Sequence, residues 1–333
     1  MTRDVLCFGE LLLRLSPPGN ERFGQSGTLN VQFGGAEANV GVSLARFGHS
    51  VEMMSAIPED NALADNVLTG LRAQGVGTSN IFSRAGRMGM YFLETGAVRR
   101  PSRILYDRAY SAFAVSEADE FDWDTLLEGV KLAHISGITP ATGPGPAEAS
   151  QRLAIACSER NIQLSFDGNY RELLWKSWDG NGPAILKNIL SHADIAFINE
   201  RDIALLLGTA PEPRKDAMAR AFDEFPKLKV IAATQRAQSS VSNQSLIGEY
   251  YTRDAFFISR AHELEGVVDR IGGGDAFAAG VLHSLLNGRD PQYTIEFAMA
   301  AGAIKHSIPG DFNLTNVQEV EDAMNESGLD VRR

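Results

Sequence analysis

Short apolar runs alternate with helical patterns along most of this chain. That alternation constrains the fold more than any other feature of the sequence. The runs "DVLCFGE", "SVEMMSAI", "LAHISGI", "IQLSFDGN", "ADIAFIN" and "LKVIAAT" read as strands. Helical patterns separate them: "AEANVGVSLARFG" stopping at Gly48, "EDNALADNVLTGLRAQG" stopping at Gly75, then "GPAEASQRLAIACSERN", "GNGPAILKNILSH" and "RDIALLLG". Strands and helices in alternation predict an α/β fold, a mostly parallel central sheet with helices on both faces. Right-handed crossovers then gather the carboxyl ends of the strands on one edge, where open α/β sheets bind ligands.

Two stretches break the rhythm, residues 11–33 and 87–113. Both lack helix signals and carry strand formers between turn residues. They are expected to form a small β-structure inserted into one α/β domain spanning residues 1–333, a lid beside the ligand edge. Its strands would leave an open sheet edge, which proteins usually cover. At least a dimer through the lids is therefore expected. The Pro/Gly-rich "TPATGPGPAE" reads as a loop between strand and helix rather than a linker.

Charge and cysteine content narrow the function classes. The 333 residues carry a net charge of −11, so no basic face offsets the repulsion of a nucleic-acid backbone. A small anionic substrate remains open, because local arginines can override the global sign. Glu10 and Arg14 interrupt the apolar N-terminal run "VLCFGELLLRLSPP", which is too short and too charged to span a membrane. Cys7 and Cys157 sit far apart in apolar runs, without metal spacing, and are expected in the core. These features place the chain in a reducing cytoplasm. The six histidines form no metal motif, and His134 reads as a satisfied strand residue.

The chemistry points to "DRIGGGDAF", Asp269 to Phe277. Phe277, Val281, Leu282 and Leu285 recur at helical spacing, and Gly288 fits the residue past a helix end. Gly272, Gly273 and Gly274 thus sit where a helix begins. Its unpaired N–H groups and partial positive charge suit an anion, and glycine lets a phosphate approach closely. Asp275 would lie at the rim, either as a helix cap or as a general base. A P-loop requires Lys-Ser/Thr after its last glycine, and Asp275-Ala276 stand there. A dinucleotide fingerprint fails at its third glycine, where Phe277 stands.

A second motif, "FGGAEANVGVSLARFG", places Gly34, Gly35 and Asn39 just after the first inserted stretch. Together the two resemble the signatures of the PfkB (ribokinase-like) carbohydrate kinases, in order and separation, over nearly the whole chain. The resemblance implies a ribokinase-like three-layer α/β/α domain with a β-lid. It implies transfer of the γ-phosphoryl of ATP, with Mg²⁺, to a sugar hydroxyl. Gly272, Gly273 and Gly274 would form the anion hole, and Asp275 would take the hydroxyl proton. Such a reaction is mostly positioning and charge stabilisation. "NERD" resembles the family's N-x-x-E motif, with Asn199 first and Asp202 in place of glutamate. The shorter side chain implies a water-mediated contact to Mg²⁺ and phosphates; the bland alternative for both residues is helix capping. Asp269 and Ile271 match the place where members hold a monovalent cation such as K⁺ through backbone oxygens.

Within the family, "FDGNYRELLW", "NERDIALLLG", "DRIGGGDAFAAG" and "AIKHSIPGDFN" look like the kinases of 2-keto-3-deoxygluconate. "IAATQRAQSSVSNQ" resembles their threonine-x-arginine nucleotide loop, implying Thr234 and Arg236 near ATP. A keto-acid carboxylate calls for arginine, whose planar fork matches it. Arg171, after the strand "IQLSFDGN", and Arg108, on the lid, are the candidates. Asn169 belongs to the same strand-end segment. Tyr91 and Tyr106 on the lid would cover the sugar and donate hydrogen bonds, and Asp311 would accept from a substrate hydroxyl. Fructose, 2-keto-3-deoxygalactonate and a catalytically silent sugar-binding regulator remain alternatives.

Overall fold

Residues 3–238 and 240–325 are described by the structure, a computed structural model. A ten-stranded sheet runs through it. Seven of its strands are parallel, in the spatial order Val230–Gln238, Ile195–Phe197, Gln163–Asp167, Val130–Ser136, Arg3–Phe8, Val51–Pro58 and Gly77–Arg84. Asn243–Tyr251 pairs antiparallel with Val230–Gln238, and Phe256–Ile258 and His262–Glu265 in turn pair antiparallel with it. Chain order reverses at Arg3–Phe8, which lies between Val51–Pro58 and Val130–Ser136. Such a reversal opens a crevice at the carboxyl ends of the strands.

Alternating side chains of the parallel strands feed two separate cores. Leu6 and Phe8 join one, Val5 and Cys7 the other. The first core is covered by helices that include Pro144–Glu159, Gly182–Ser191 and Arg214–Glu224. Ala36–Arg46, Ala62–Ala73, Gly273–Leu286 and Pro291–Lys305 cover the second. The result is the expected three-layer, ribokinase-like α/β arrangement. Cys7 and Cys157 are buried, one in each core. His134 is buried too, its Nδ1 meeting Ser165 Oγ at 3.0 Å, and burial holds its pKa down at about 3.

The helix Gly273–Leu286 is apolar nearly all round because it is packed on all sides. A Cβ on Gly280 would lie 2.6 Å from the Ala298 Cα, so this glycine lets Pro291–Lys305 approach closely. The segment read as a loop, "TPATGPGPAE", instead contains the 3₁₀ turn Pro140–Thr142 and the first turns of Pro144–Glu159. Proline at the first helical position lacks only an N–H that would have been unpaired. No helix among the described residues is long and apolar enough to cross a membrane.

The two rhythm-breaking stretches come together as a separate four-stranded sheet, in the order Asn30–Gly34, Leu12–Ser16, Gly89–Glu94, Arg103–Asp107. Its central pair is parallel and its two outer pairs are antiparallel. Val31 is 52 % exposed, and Ile104 and Leu105 are about two-fifths exposed.

Candidate active site

The three glycines of the turn do different things. Gly272 has φ +80°, and a Cβ there would lie 2.1 Å from the Asp311 carbonyl oxygen. Only glycine fits both demands. A Cβ on Gly273 would reach 2.6 Å from His306 Cε1, whereas beside Gly274 there is open space. No side chain caps the helix Gly273–Leu286, so its first N–H groups remain available to an anion at Gly274.

Asp275, in the first turn of that helix, does not cap it. Its Oδ2 accepts instead from Asn39 Nδ2 at 2.7 Å. Asn39 is placed by the helix Ala36–Arg46, whose N-cap is Gly35 at φ +145°. Burial raises the Asp275 pKa to about 7, helped by the charges of Asp311 and Glu37 and opposed by the Asn39 bond and Arg171. A carboxylate in that range is matched to taking a proton near neutrality.

Two cavities meet at this point. The first, about 280 Å³, lies under the four-stranded sheet, with Asn39, Asp275, Tyr106, Arg108 and Asp311 in its wall. Gly35, Tyr91, Ile271 and Gly272 also line it. The second, about 270 Å³, is lined by Asn199, Asp202 and Thr234. Asp167, Asn169, Arg171 and Gly274 belong to both. A larger hollow of about 490 Å³ lies at the amino ends of the strands, around Gln163 and Lys229. Of its two carboxylates, Asp194 is paired with Lys227 and Lys229, and Asp254 is exposed to solvent.

No motif in the sequence marks Asp167, the last residue of its strand. Burial lifts its pKa to about 8, aided by Asp275 and Asp202 and opposed by Arg171. Asp202 is likewise raised by burial. Asn199 and Asp202 form a reciprocal capping box on the helix Glu200–Leu207: Asn199 Oδ1 accepts from the Asp202 N–H at 3.3 Å, and Asp202 Oδ2 accepts from the Asn199 N–H at 2.9 Å. The capping role therefore holds while both residues line the second cavity. Thr234 lines it too, but Arg236, in the exposed part of the same strand, lines neither cavity.

Several side chains are committed in ways the sequence did not reveal. The Tyr91 hydroxyl donates to Asp311 Oδ2 at 2.6 Å rather than standing free. Asp311 Oδ1 accepts from Arg14 Nη1 at 3.1 Å, and the same nitrogen pairs with Asp269 Oδ2 at 2.7 Å. Gly34 fits beside this group, since a Cβ there would lie 2.1 Å from Asp311 Oδ2. Arg108 is 4 % exposed; its Nε donates to Glu10 Oε2 at 2.6 Å, and Ser111 Oγ holds the other Glu10 oxygen. Arg108 Nη1 has no partner among the described residues. Arg171 is exposed at the junction of the cavities and forms no ion pair with a carboxylate among the described residues; its Nη1 donates to the Tyr170 carbonyl at 3.2 Å. Buried Glu37 accepts from the Ser136 N–H and hydroxyl and from Thr139 Oγ1, tying the helix Ala36–Arg46 to the strand end. Arg14 and Glu10 looked like mere interruptions of an apolar run, and only the fold shows what they pair with.

Two adjoining cavities, with an anion-ready helix start at their junction and a base-range carboxylate in the wall of the first, suit the transfer of a group from one bound molecule to another. The description pfkB family carbohydrate kinase matches residues 2–314, and the chain belongs to that family. It is a carbohydrate kinase, a phosphotransferase with an alcohol acceptor. A 2-dehydro-3-deoxygalactonokinase of Haloferax volcanii is 30 % identical over 99 % of this chain and 100 % of its own length. A probable chloroplastic fructokinase-6 of Arabidopsis thaliana is 32 % identical over 92 % of this chain and 78 % of its own. The crystal structure of a 2-dehydro-3-deoxygluconokinase from Thermotoga maritima superposes with a TM-score of 0.90 at 34 % identity, covering 97 % of this chain and 99 % of that one.

Proposed function

We propose that the chain transfers the γ-phosphoryl of ATP to the terminal C6 hydroxyl of 2-keto-3-deoxygluconate. The observation that carries this reading is the junction of the two cavities at Gly274, with Asp275 in the wall of one. The acceptor occupies the cavity under the four-stranded sheet and ATP the one beside Thr234. Asp275 takes the hydroxyl proton as the oxygen attacks the γ-phosphorus. The bond to the bridging oxygen breaks, ADP leaves, and charge on the transferred group is met by the N–H groups behind Gly274.

The keto-acid is favoured over a neutral sugar by the two arginines. Arg108 lines the acceptor cavity and has a buried Nη1 that is unpartnered among the described residues, and Arg171 stands at the junction without a carboxylate partner among them. A carboxylate is matched by such donors. Asp311 and Tyr106 complete the acceptor site, with Tyr91 holding Asp311 in place. The Haloferax relative supports a second reading, the galactonate epimer, since both acids carry the same carboxylate and terminal hydroxyl.

Mg²⁺ fits the donor side. No three metal-ligating side chains converge among the described residues, but Asp167 and Asp202 bring two carboxylates to the nucleotide cavity. They would hold, through water, an ion whose other ligands are phosphate oxygens, and which neutralises phosphoryl charge. We also infer a dimer through the four-stranded sheet, whose exposed Val31 and Leu105 lie on the face turned away from the acceptor cavity.

The test is a coupled ADP-release assay over 2-keto-3-deoxygluconate, 2-keto-3-deoxygalactonate, fructose and ribose. The keto-acid should give the highest kcat/KM. A higher value for fructose would overturn the acid assignment and leave the kinase.

A further inference from the structure

Beneath the glycine turn lies a buried charge. Lys305 ends the helix Pro291–Lys305 and is 0 % exposed. Lysine is almost never fully buried unless something holds it. Its Nζ donates to the Ile308 carbonyl at 2.9 Å, in the turn that leads to Gly310 and Asp311. Burial lowers its pKa, and the fields of Asp269 and Asp311 work against that. A Cβ on Gly272 would lie 3.2 Å from Lys305 Cε, so the lysine stem packs against the glycine turn itself.

The backbone closes the same space. The N–H groups of Val268 and Asp269 donate to the His306 carbonyl at 2.9 and 3.2 Å, and the Gly310 N–H donates to Asp269 Oδ2 at 3.0 Å. From the four-stranded sheet, Arg14 pairs with both Asp269 and Asp311. The place that the sequence resemblance assigns to a monovalent cation, around Asp269 and Ile271, thus already holds an ammonium and a guanidinium. A free K⁺ there would face two fixed positive charges, an Asp269 carboxylate already paired, and a carbonyl already accepting from Lys305. The residues present do not fit a further cation.

We propose that Lys305 is a positioning residue that supplies, as part of the chain, the positive charge behind the glycine turn, so that this kinase works without potassium. The ammonium braces the segment from Lys305 to Asp311 against Gly272 and adds a fixed positive potential behind the anion site at Gly274. Preorganised charge of this kind costs no rearrangement when the phosphoryl group arrives. The proposal rests on the reading of Gly272 to Asp275 as the transfer site, and not on which sugar acid is the acceptor.

The test uses the full chain and whichever acceptor in the panel it phosphorylates best, so a wrong acceptor assignment is visible before any variant is made. Turnover is measured at matched ionic strength in tetramethylammonium, sodium, potassium and ammonium chlorides, with thermal unfolding in each salt. The native enzyme should show the same kcat/KM in all four. Lys305→Ala should lose at least about tenfold in tetramethylammonium, and recover much of that loss in potassium or ammonium, which can enter the space left behind. Lys305→Met, which keeps the stem without the charge, should fold and be impaired equally in every salt. If Lys305→Ala does not fold, the Met variant alone decides. Several-fold activation of the native enzyme by potassium would overturn the proposal. So would a folded Lys305→Met with native turnover, or a folded Lys305→Ala whose loss no cation relieves, since either would make Lys305 a packing residue only.

Discussion

The Asn39 amide and the Asp275 carboxylate meet at 2.7 Å, Nδ2 donating to Oδ2, and so join two helix starts across 236 residues of sequence. The bond favours the charged carboxylate, whereas burial disfavours it. Activity that depends on ionised Asp275 should rise with pH through about 7. In Asn39→Ala one force holding that pKa down is gone, so the acid limb of kcat/KM should move to higher pH. An unmoved limb, with lower activity throughout, would mean that Asn39 only shapes the pocket.

Asp275→Asn should lower kcat by about 10²–10⁴, the usual contribution of a general base. Near-native turnover in a folded variant would remove Asp275 from the reaction.

The same substitution should stabilise the fold. Asp275 titrates at about 7 and Asp167 at about 8 in the folded chain, against a reference of 3.8. A raised folded pKa means that the contribution to stability is full below the unfolded value and is lost as pH rises through the folded one. Replacing the carboxylate with a neutral amide removes that loss. The Tm of Asp275→Asn should therefore exceed that of the native chain by several degrees at a pH above about 8, with the gap closing toward about pH 4. Equal Tm values across that range would show that the buried carboxylate carries no penalty.

Turnover should stop in excess chelator and return with Mg²⁺ or Mn²⁺. Asp167→Asn should raise the Mg²⁺ concentration needed for half-maximal rate, because it removes one of two carboxylates from the nucleotide cavity. An unchanged metal requirement would leave Asp202 and the phosphates as sufficient holders.

Arg171→Ala should lower kcat/KM for the keto-acid by at least about tenfold, given roughly 1.5–3 kcal/mol for a charge-assisted hydrogen bond. The loss on fructose should be smaller, and Arg171→Lys should restore only part of the acid preference. Equal proportional losses on both substrates would place Arg171 on the phosphoryl group instead, which its position between the two cavities also permits.

What could be read from the sequence divides along a physical line. The glycine run, Asp275 and the strand–helix alternation are local patterns, so both the layers and the anion turn were visible. The partners of those residues were not. Arg14 reads as a flaw in a strand until Asp269 and Asp311 are brought beside it. Asp167 reads as a strand end until the fold buries it near Asp275 and Asp202. Tyr91 looked like a free hydroxyl because nothing in "GMYFLE" names Asp311. Lys305 sits in a helix pattern where lysine normally faces water, and only the crowded turn after it reverses that. In each case burial and charge pairing are set by chain segments far away, and a linear pattern does not encode them.

The Arg14–Asp311 contact spans 297 residues, and Gly34 is fitted to the same aspartate. Early strands of the chain are therefore finished by a segment synthesised 297 residues later. Contacts of such long range form late and slowly. On the ribosome, the first stretch of the four-stranded sheet would wait for its anchor until residue 311 had emerged. A chain stalled before it would have both sheets largely written and yet Arg14 and Tyr91 without Asp311. Until Asp311 is made, Arg14 and Tyr91 lack the partner that fixes them at the acceptor cavity.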